Sequence, residues 1–240
     1  MEDYLGKVNG EPSRWKSRIL SNNGIQNRYY AIDKNQKTLL TNAKMTALAV
    51  ERLTEKLGKE TSEIEYLSAG TTQGDLPIPG FANMVHGELE VGPIENASFA
   101  GVCISGMQAL KTAYLQVLSG EKKNAVACAG ELASRLFKAS RFEHQKDKSL
   151  SFDTEFLRWM LSDGAGAMFL EDKPNSKGYS LKINWITQRS YSGTNPLCMY
   201  AGKNPNDERT WLDYPDFQSA AIDGAINLKQ DVRQLANMVK

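Results

Sequence analysis

The chain has 240 residues and a formal net charge of +1, which suits one large or two small domains and excludes a broad nucleic-acid-binding surface. No apolar run reaches the length of a membrane span, and the start Met1-Glu2-Asp3 is acidic, unlike a signal peptide. Three cysteines without zinc-ligand spacing predict a cytoplasmic protein that has neither a disulfide framework nor a metal.

The first forty residues are polar and contain a basic stretch. A short helix is predicted from Pro12 to Leu20, Asn22-Asn23-Gly24 predicts a turn, and residues 25–32 have an extended pattern. Four basic side chains of this region could dock an acidic partner: Arg14, Lys16, Arg18 and Arg28. A solvated surface is the commoner explanation for such charges.

A longer helix is predicted to follow, with Asn42 as its N-cap, Leu57 near its end and Gly58 as its stop. The spacing of apolar residues assigns its inner face to Met45, Leu48, Ala49 and Leu53. Arg52 is the polar exception on that face.

The next stretch alternates strand, loop and helix. A strand is predicted to end at Thr71-Thr72. Two prolines exclude a helix from the loop between Gly74 and Gly80, which is expected to be stiff and apolar. Phe81 to Leu89 predicts a helix, on which His86 is interpreted as a hydrogen-bonded structural residue.

Cys103 lies on a predicted strand-to-helix turn. Glu95 to Phe99 predicts a short strand, and the apolar spacing from Ser105 to Ser119 predicts a helix with one buried face, ended by Gly120. The positive end of that helix favours the thiolate, which is the form that a nucleophile needs. Three small neighbours keep the turn narrow: Gly101, Ser105 and Gly106.

Two other interpretations of Cys103 follow from the residues alone. Many free cysteines are simply small buried hydrophobic residues. The pattern Gly101-x-Cys103-x-Ser105 also half-matches the nucleophile elbow of α/β-hydrolases. Acyl transfer to the thiol would separate a nucleophile from a buried residue, and turnover of a simple ester would support the hydrolase.

The rest of the chain continues the alternation of strands and helices. Strands are predicted at Asn124–Ala129, Met168–Leu170 and Tyr179–Gln188, and helices at Phe152–Leu161 and Asp213–Val239. Residues 134–150, with His144, are expected at the surface, 162–167 as a small-residue turn and 190–212 as a loop. No lysine follows the glycine-rich turn in strand–loop–helix order, which argues against nucleotide binding. The alternation predicts an α/β fold with a largely parallel sheet.

Four motifs occur in a specific order: Asn22 to Arg28, the strand into Thr71-Thr72, Val102-Cys103-Ile104-Ser105-Gly106, and Ser162 to Ala167. In this order and spacing the sequence resembles β-ketoacyl-acyl-carrier-protein synthase III, a thiolase-fold condensing enzyme. Met84 to Leu89 and Ala100 to Cys103 are most similar to the subgroup that makes aryl polyenes and dialkylresorcinols. The resemblance implies a layered α-β-α half with the nucleophile over residues 1–172, and the beginning of a second half over residues 173–240.

The resemblance also implies a mechanism. Cys103 would take an acyl group as a thioester, and a malonyl thioester would lose carbon dioxide and attack it, with the Cys103 N–H in an oxyanion hole. Substrate-binding residues are implied at Leu76, Pro77, Ile78, Met84 and Met107. A homodimer is implied in which the strand matching Asn124–Ala129 pairs with its copy, and the loop from Leu76 to Pro79 reaches the neighbour's acyl tunnel.

The sequence departs from the family in two ways. The family's first strand, catalytic histidine and asparagine have no match, and His144 is too early for that histidine. We therefore expect either a second polypeptide that supplies the missing half or a non-catalytic subunit that acts in assembly. Arg18 and Asn22 occupy the places of a tryptophan and an arginine that hold coenzyme A, which favours acyl carrier protein as the donor. The basic side chains named above would dock it, and no cofactor is implied.

Overall fold

The computed structural model of the chain describes residues 1–143, 150–176, 178–203, 208–215, 219–220, 223 and 226–230. Its main sheet has four strands: β1 (Tyr66–Thr71), β2 (Glu95–Ala100), β3 (Asn124–Glu131) and β4 (Gly164–Glu171). Their spatial order is β2-β1-β3-β4, with β1 parallel to β2 and β3, and β4 antiparallel to β3. The predicted α/β fold with a mixed, largely parallel sheet is confirmed.

Helices cover both faces of this sheet. The described α-helices are α1 (Glu2–Leu5), α2 (Lys16–Asn23), α3 (Asn42–Leu57), α4 (Phe81–Leu89), α5 (Ser105–Leu118), α6 (Ser134–Phe137) and α7 (Phe152–Met160). On one face, Val50 of α3 and Val85 of α4 are fully buried against Leu67 and Val126. On the other face, Ala113 of α5 packs against β3. The result is an α-β-α layering, in which each helix buries one face on the sheet.

The position of β3 overturns the predicted basis of a homodimer. β3 lies between β1 and β4, so both of its edges are already hydrogen-bonded and it has no edge left for a copy of itself. The free edges of the described sheet belong to β2 and β4.

The buried face of α3 is rotated by one residue from the predicted one. Thr41, not Asn42, is the N-cap, and its Oγ1 accepts a hydrogen bond from Lys44 N at 3.1 Å. The buried residues are Asn42, Ala43, Thr46, Ala47, Val50 and Thr54, whereas Arg52 is exposed. Small side chains let α3 approach β3 closely, and a Cβ atom on Gly130 of β3 would collide with Thr46 Oγ1. The close approach of α3 to β3 therefore decides which face of α3 is buried, and the spacing of its apolar residues does not.

The N-terminal segment folds onto α7. Leu5 and Trp159 are buried in one cluster there. The almost fully buried guanidinium of Arg158 donates hydrogen bonds to the carbonyl oxygens of Leu5 at 3.1 Å, Phe137 at 2.9 Å and Gly6. Burial lowers the pKa of Arg158, and its carbonyl partners satisfy donors that would otherwise be costly to bury.

Two further predictions are corrected. The helix predicted over 12–20 is α2, which begins at Lys16 and extends through the predicted turn to Asn23. The segment 134–143 is not a charged surface, because four of its side chains are buried: Ser134, Phe137, Ala139 and Phe142. His144 lies outside the described residues.

The C-terminal third differs most from its prediction. β4 begins at Gly164, so the stretch predicted as a turn over 162–167 is largely strand. The segment 179–188, predicted as a strand, has no regular secondary structure, because no described strand pairs with it. β5 (Met199–Lys203) and β6 (Ile226–Gln230) form an antiparallel pair where the sequence predicts a loop and a helix. Residues 231–239 of that predicted helix lie outside the described part.

Short 3-10 helices complete the described elements, at Val8–Gly10, Thr61–Glu63, Ala139–Arg141 and Trp211–Asp213. Within the described ranges, none of the helices combines the length and apolar character that crossing a bilayer requires.

Candidate active site around Cys103

The carboxyl ends of the three parallel strands, β1, β2 and β3, meet at one end of the sheet. In the strand register, Thr71 of β1 lies beside Ala100 of β2, and Gly70 lies beside Ala129 of β3. Gly101 N donates a hydrogen bond to Thr71 O at 3.3 Å, which ties the turn after β2 to the end of β1. In open α/β sheets ligands usually bind outside the carboxyl ends of the strands, so the topology indicates that the candidate site lies here.

Cys103 lies on the turn between β2 and α5, two residues before the helix begins. Ser105 closes the turn, because both its N–H and its Oγ donate to Val102 O at 3.3 Å. Ser105 is buried and the thiol of Cys103 is exposed. The thiol therefore lies near the positive end of α5 and is open to a substrate, as the sequence predicts.

A glycine on β1 allows the start of α5 to lie against the sheet. A Cβ atom on Gly70 would lie 2.5 Å from Ser105 C and 2.9 Å from Gly106 N. Gly106 faces Ala129, with 3.2 Å between its hypothetical Cβ and Ala129 Cβ, whereas a Cβ on Gly101 would make only ordinary contacts. Gly70 is thus the tightest steric requirement of the turn, and the sequence argument, which named Gly101, Ser105 and Gly106, missed it.

The segment that follows β1 is held by hydrogen bonds from both sides. Glu131, at the end of β3, accepts hydrogen bonds from Thr72 N at 2.6 Å and Thr72 Oγ1 at 2.8 Å. Burial raises the pKa of this carboxyl, and the hydrogen bonds from Thr72 oppose that rise. Asn42 of α3, fully buried, donates to Thr71 Oγ1 at 2.9 Å and to Gly130 O at 3.1 Å. These bonds fix the ends of β1 and β3 beside the cysteine turn.

The predicted substrate-binding residues lie on the loop after β1 and around α5. Leu76 and Ile78 are 57% and 82% exposed, and Pro77 between them is exposed too. Met84 is half-buried below the loop, and Met107 on the first turn of α5 is 45% exposed. The loop and the cysteine turn leave neighbouring parallel strands at the same end of the sheet, so Leu76, Pro77 and Ile78 follow that end as Cys103 does. Met84 packs instead on the face covered by α3 and α4.

The other two cysteines have different surroundings. Cys128 lies in the middle of β3 and is buried, and this burial raises its pKa to about 12. Cys198 is half-buried just before β5. Because a buried thiol stays protonated and inaccessible, Cys128 is excluded as a nucleophile.

The four predicted docking residues differ in how exposed their side chains are and in the contacts that they make. Arg14 and Arg18 are exposed, and their guanidinium carbons lie 5.5 Å and 6.0 Å from the ring centroid of Trp15. Lys16 pairs with Glu2 at 2.8 Å. Arg28 is half-buried and donates to the carbonyl oxygen of the preceding residue at 3.1 Å. Arg14 and Arg18 are therefore the most available cations of this set.

Other chemistry is limited in the described part of the chain. No group of three His, Cys, Asp or Glu side chains among the described residues could hold a metal ion. His86 Nε2 lies 3.0 Å from Gly92 O, and this contact agrees with the structural role that the sequence predicts. The contacts of Glu131, Asn42 and Arg135 at this site were not predicted from the sequence, because they join segments about thirty to ninety residues apart.

Comparison with known proteins gives relatives of one kind. No family model matches the chain. The chain is 25% identical over 185 residues to β-ketoacyl-[acyl-carrier-protein] synthase III of Streptococcus thermophilus, a match that covers 76% of this chain and 50% of the relative. The synthase III of Staphylococcus epidermidis is 25% identical over 166 residues, covering 68% of this chain and 46% of the relative. The chain thus spans about half the length of the curated relatives it matches.

A solved structure shows the same fold. AbyA1, a tetronic acid condensing enzyme, superimposes with a TM-score of 0.71 at 19% identity, covering 98% of this chain and 64% of that one. This likeness establishes a thiolase-like fold. The chain is thus similar in sequence to synthase III enzymes and in fold to a condensing enzyme.

Proposed function

We propose that Cys103 accepts an acyl group from a thioester, as the first step of a decarboxylative condensation. The observation that carries this proposal is an exposed thiol at the start of α5, on a turn where three parallel strands end. The thiolate attacks the thioester carbonyl, the donor leaves as a thiol after taking up a proton, and the acyl group remains on Cys103. A malonyl thioester then loses carbon dioxide, and its carbanion displaces the cysteine to form the new carbon–carbon bond.

The backbone around Cys103 supports this chemistry. The first N–H groups of a helix have no intrahelical partner, so they create a positive potential at the start of α5. That potential stabilises the thiolate and the negative charge that develops on the carbonyl oxygen. A cysteine hydrolase would use the same nucleophile, and continuous turnover of a thioester or simple ester distinguishes it from a single acyl transfer.

We propose acyl carrier protein as the donor, in preference to coenzyme A. An aromatic ring and an arginine are natural holders for an adenine nucleotide, and Arg18 and Asn22 stand where the resemblance expects them. Arg14 and Arg18 offer exposed positive charge to an acidic carrier surface, and Lys16 and Arg28 add charge nearby. Single exposed pairs contribute roughly 0.2–1 kcal/mol, so several must act together, and added salt weakens them.

We propose that the reaction takes place in the cytoplasm, in an aryl polyene or dialkylresorcinol pathway. We further propose that a second polypeptide supplies the side chains that assist decarboxylation. Exposed apolar side chains support the partner: Leu115 and Leu118 on α5 are 48% and 64% exposed, and Trp185 is 76% exposed. On this proposal residues 1–172 form the nucleophile-bearing half and 173–240 begin the second half. A non-catalytic assembly subunit would share these surfaces, and acyl transfer distinguishes the two.

The test is the amount of free carrier thiol released from acyl carrier protein, with the same acyl group on coenzyme A as the comparison. Acyl transfer predicts release of one equivalent per chain, faster from the carrier protein and slowed by salt. Continuous release would indicate a hydrolase, and absence of release from both donors would leave the assembly subunit. Equal or faster release from coenzyme A, with no salt dependence for the carrier protein, would reject the proposed donor. The Arg14→Gln/Arg18→Gln double variant should weaken the preference for carrier protein, whereas Arg52→Gln, an exposed arginine on α3, should not.

A further inference from the structure

Arg135, which follows β3, holds the base of the loop after β1. Its Nη1 forms an ion pair with Asp75 Oδ1 at 2.9 Å. Its Nη2 donates to the carbonyl oxygens of Gln73 at 3.2 Å and Gly74 at 3.0 Å. One planar guanidinium therefore binds three consecutive loop residues, a geometry that the single ammonium of a lysine does not reproduce.

Asp75 is held a second time, by α3. Its two carboxylate oxygens accept hydrogen bonds from Asn42 N at 2.9 Å and Ala43 N at 2.8 Å, in the first turn of that helix. The side chains of Arg135 and Asp75 are only 18% and 17% exposed. Partial burial and shared hydrogen bonds make this contact stronger than an ordinary surface ion pair, which contributes little.

The other end of the loop is fixed to β2. Ala82 N donates to Ser98 Oγ at 2.8 Å, and a Cβ atom on Gly80 would lie 2.5 Å from the same oxygen. With both ends fixed, the loop presents its tip, Leu76 and Ile78, to solvent. Exposed apolar side chains on an anchored loop are typical of a surface that contacts something outside the described chain.

We propose that Arg135 is a positioning residue: its contacts with Gln73, Gly74 and Asp75 fix where Leu76 and Ile78 stand, and so set which acyl chains reach Cys103 of the same chain or of a second copy. This inference rests on the proposed acylation of Cys103 for its biological meaning. Its physical basis is that the loop and the cysteine turn leave adjacent parallel strands, about 5 Å apart, at one edge of the sheet. Arg135 touches no reacting atom in this account and acts only through the loop.

The test uses three variants of the full chain: Arg135→Gln, Arg135→Lys, and Arg52→Gln as a matched control on an exposed arginine. Two measurements are made on each, and neither requires acyl transfer. Hydrogen exchange reports how often residues 72–80 open. The rates at which methyl and octyl methanethiolsulfonate modify Cys103 report how the loop discriminates a short from a long alkyl chain.

For Arg135→Gln we expect exchange in 72–80 about tenfold faster than in the wild type, with other segments unchanged. The octyl-to-methyl rate ratio should change by about threefold or more, because a small displacement near a reactive atom has a large effect on rate. Arg135→Lys should fall between Arg135→Gln and the wild type, and Arg52→Gln should match the wild type.

Unchanged exchange or an unchanged rate ratio in Arg135→Gln would overturn the inference. If hydrogen exchange in Arg135→Gln is faster throughout the chain, the variant is destabilised as a whole, and Arg135→Lys is used in its place. Faster exchange of residues 72–80 in Arg135→Lys, with an unchanged octyl-to-methyl rate ratio, also overturns the inference. Failure of the proposed function has a different signature, since it would abolish acylation from every thioester while leaving both of these measurements intact.

Discussion

The three thiols of this chain differ in burial, and at the residue scale that difference decides which of them reacts. Cys103 is exposed, Cys198 is half-buried, and Cys128 is buried with its pKa raised to about 12. Below that pH Cys128 remains a protonated thiol, because burial disfavours the thiolate. We expect a limiting alkylating reagent at mildly alkaline pH to modify Cys103 first and Cys128 last, as read by peptide mass spectrometry. Earlier labelling of Cys128 or Cys198 would remove the basis for a nucleophilic Cys103.

A second residue-scale prediction concerns the contact between β1 and α5. Gly70→Ala places a methyl group against the backbone of Ser105 and Gly106, which has little freedom to move. Overpacking of this kind costs about 1–3 kcal/mol of the free energy of unfolding, measured by denaturant titration. Gly92→Ala is the matched control, because a Cβ atom there meets open space, and its effect should stay within about 0.5 kcal/mol. Equal stability of the two variants would show that the turn does not depend on this contact.

At the scale of elements, sequence prediction worked where a local pattern was sufficient. The helix α4 has the predicted bounds, and α5 begins at the predicted Ser105, since the apolar spacing that predicts them is local. The strand predicted over 179–188 failed because a strand forms only beside a partner, and the described chain offers none. The turn that carries Cys103 was predictable for the same local reason, whereas Arg135 and Glu131 act through contacts about sixty residues away.

The free edge of β2 leads to an element-scale prediction of self-association. β3 is interior, but β2 borders the cysteine turn and, among the described residues, has a strand partner on one side only. An unpaired strand edge favours pairing with another chain, and a second copy related by a two-fold axis satisfies both edges at once. We expect a homodimer by light scattering over a range of concentrations. A monomer throughout that range would contradict it.

At the scale of the whole molecule, the described part contains a nucleophile and the backbone that supports it. The four motifs on which the resemblance rests do not include the histidine and asparagine that assist decarboxylation in the family. Stabilising the enolate that follows loss of carbon dioxide requires preorganised donors. We therefore expect the purified chain, given acyl and malonyl thioesters, to form no ketoacyl product detectable by mass spectrometry. The control is the same assay with a condensing enzyme of known activity. Formation of product by this chain alone would show that its own residues suffice.

The most direct test of the central claim is the mass of the intact chain after incubation with acyl carrier protein carrying an acyl group. The account predicts that one acyl group is added, that neutral hydroxylamine removes it as expected for a thioester, and that fragmentation places it on Cys103. Cys103→Ala should remain unmodified, and Cys128→Ala should be acylated like the wild type if it folds with the same thermal stability. An unmodified wild-type chain, or an acyl group on any other residue, would contradict the account.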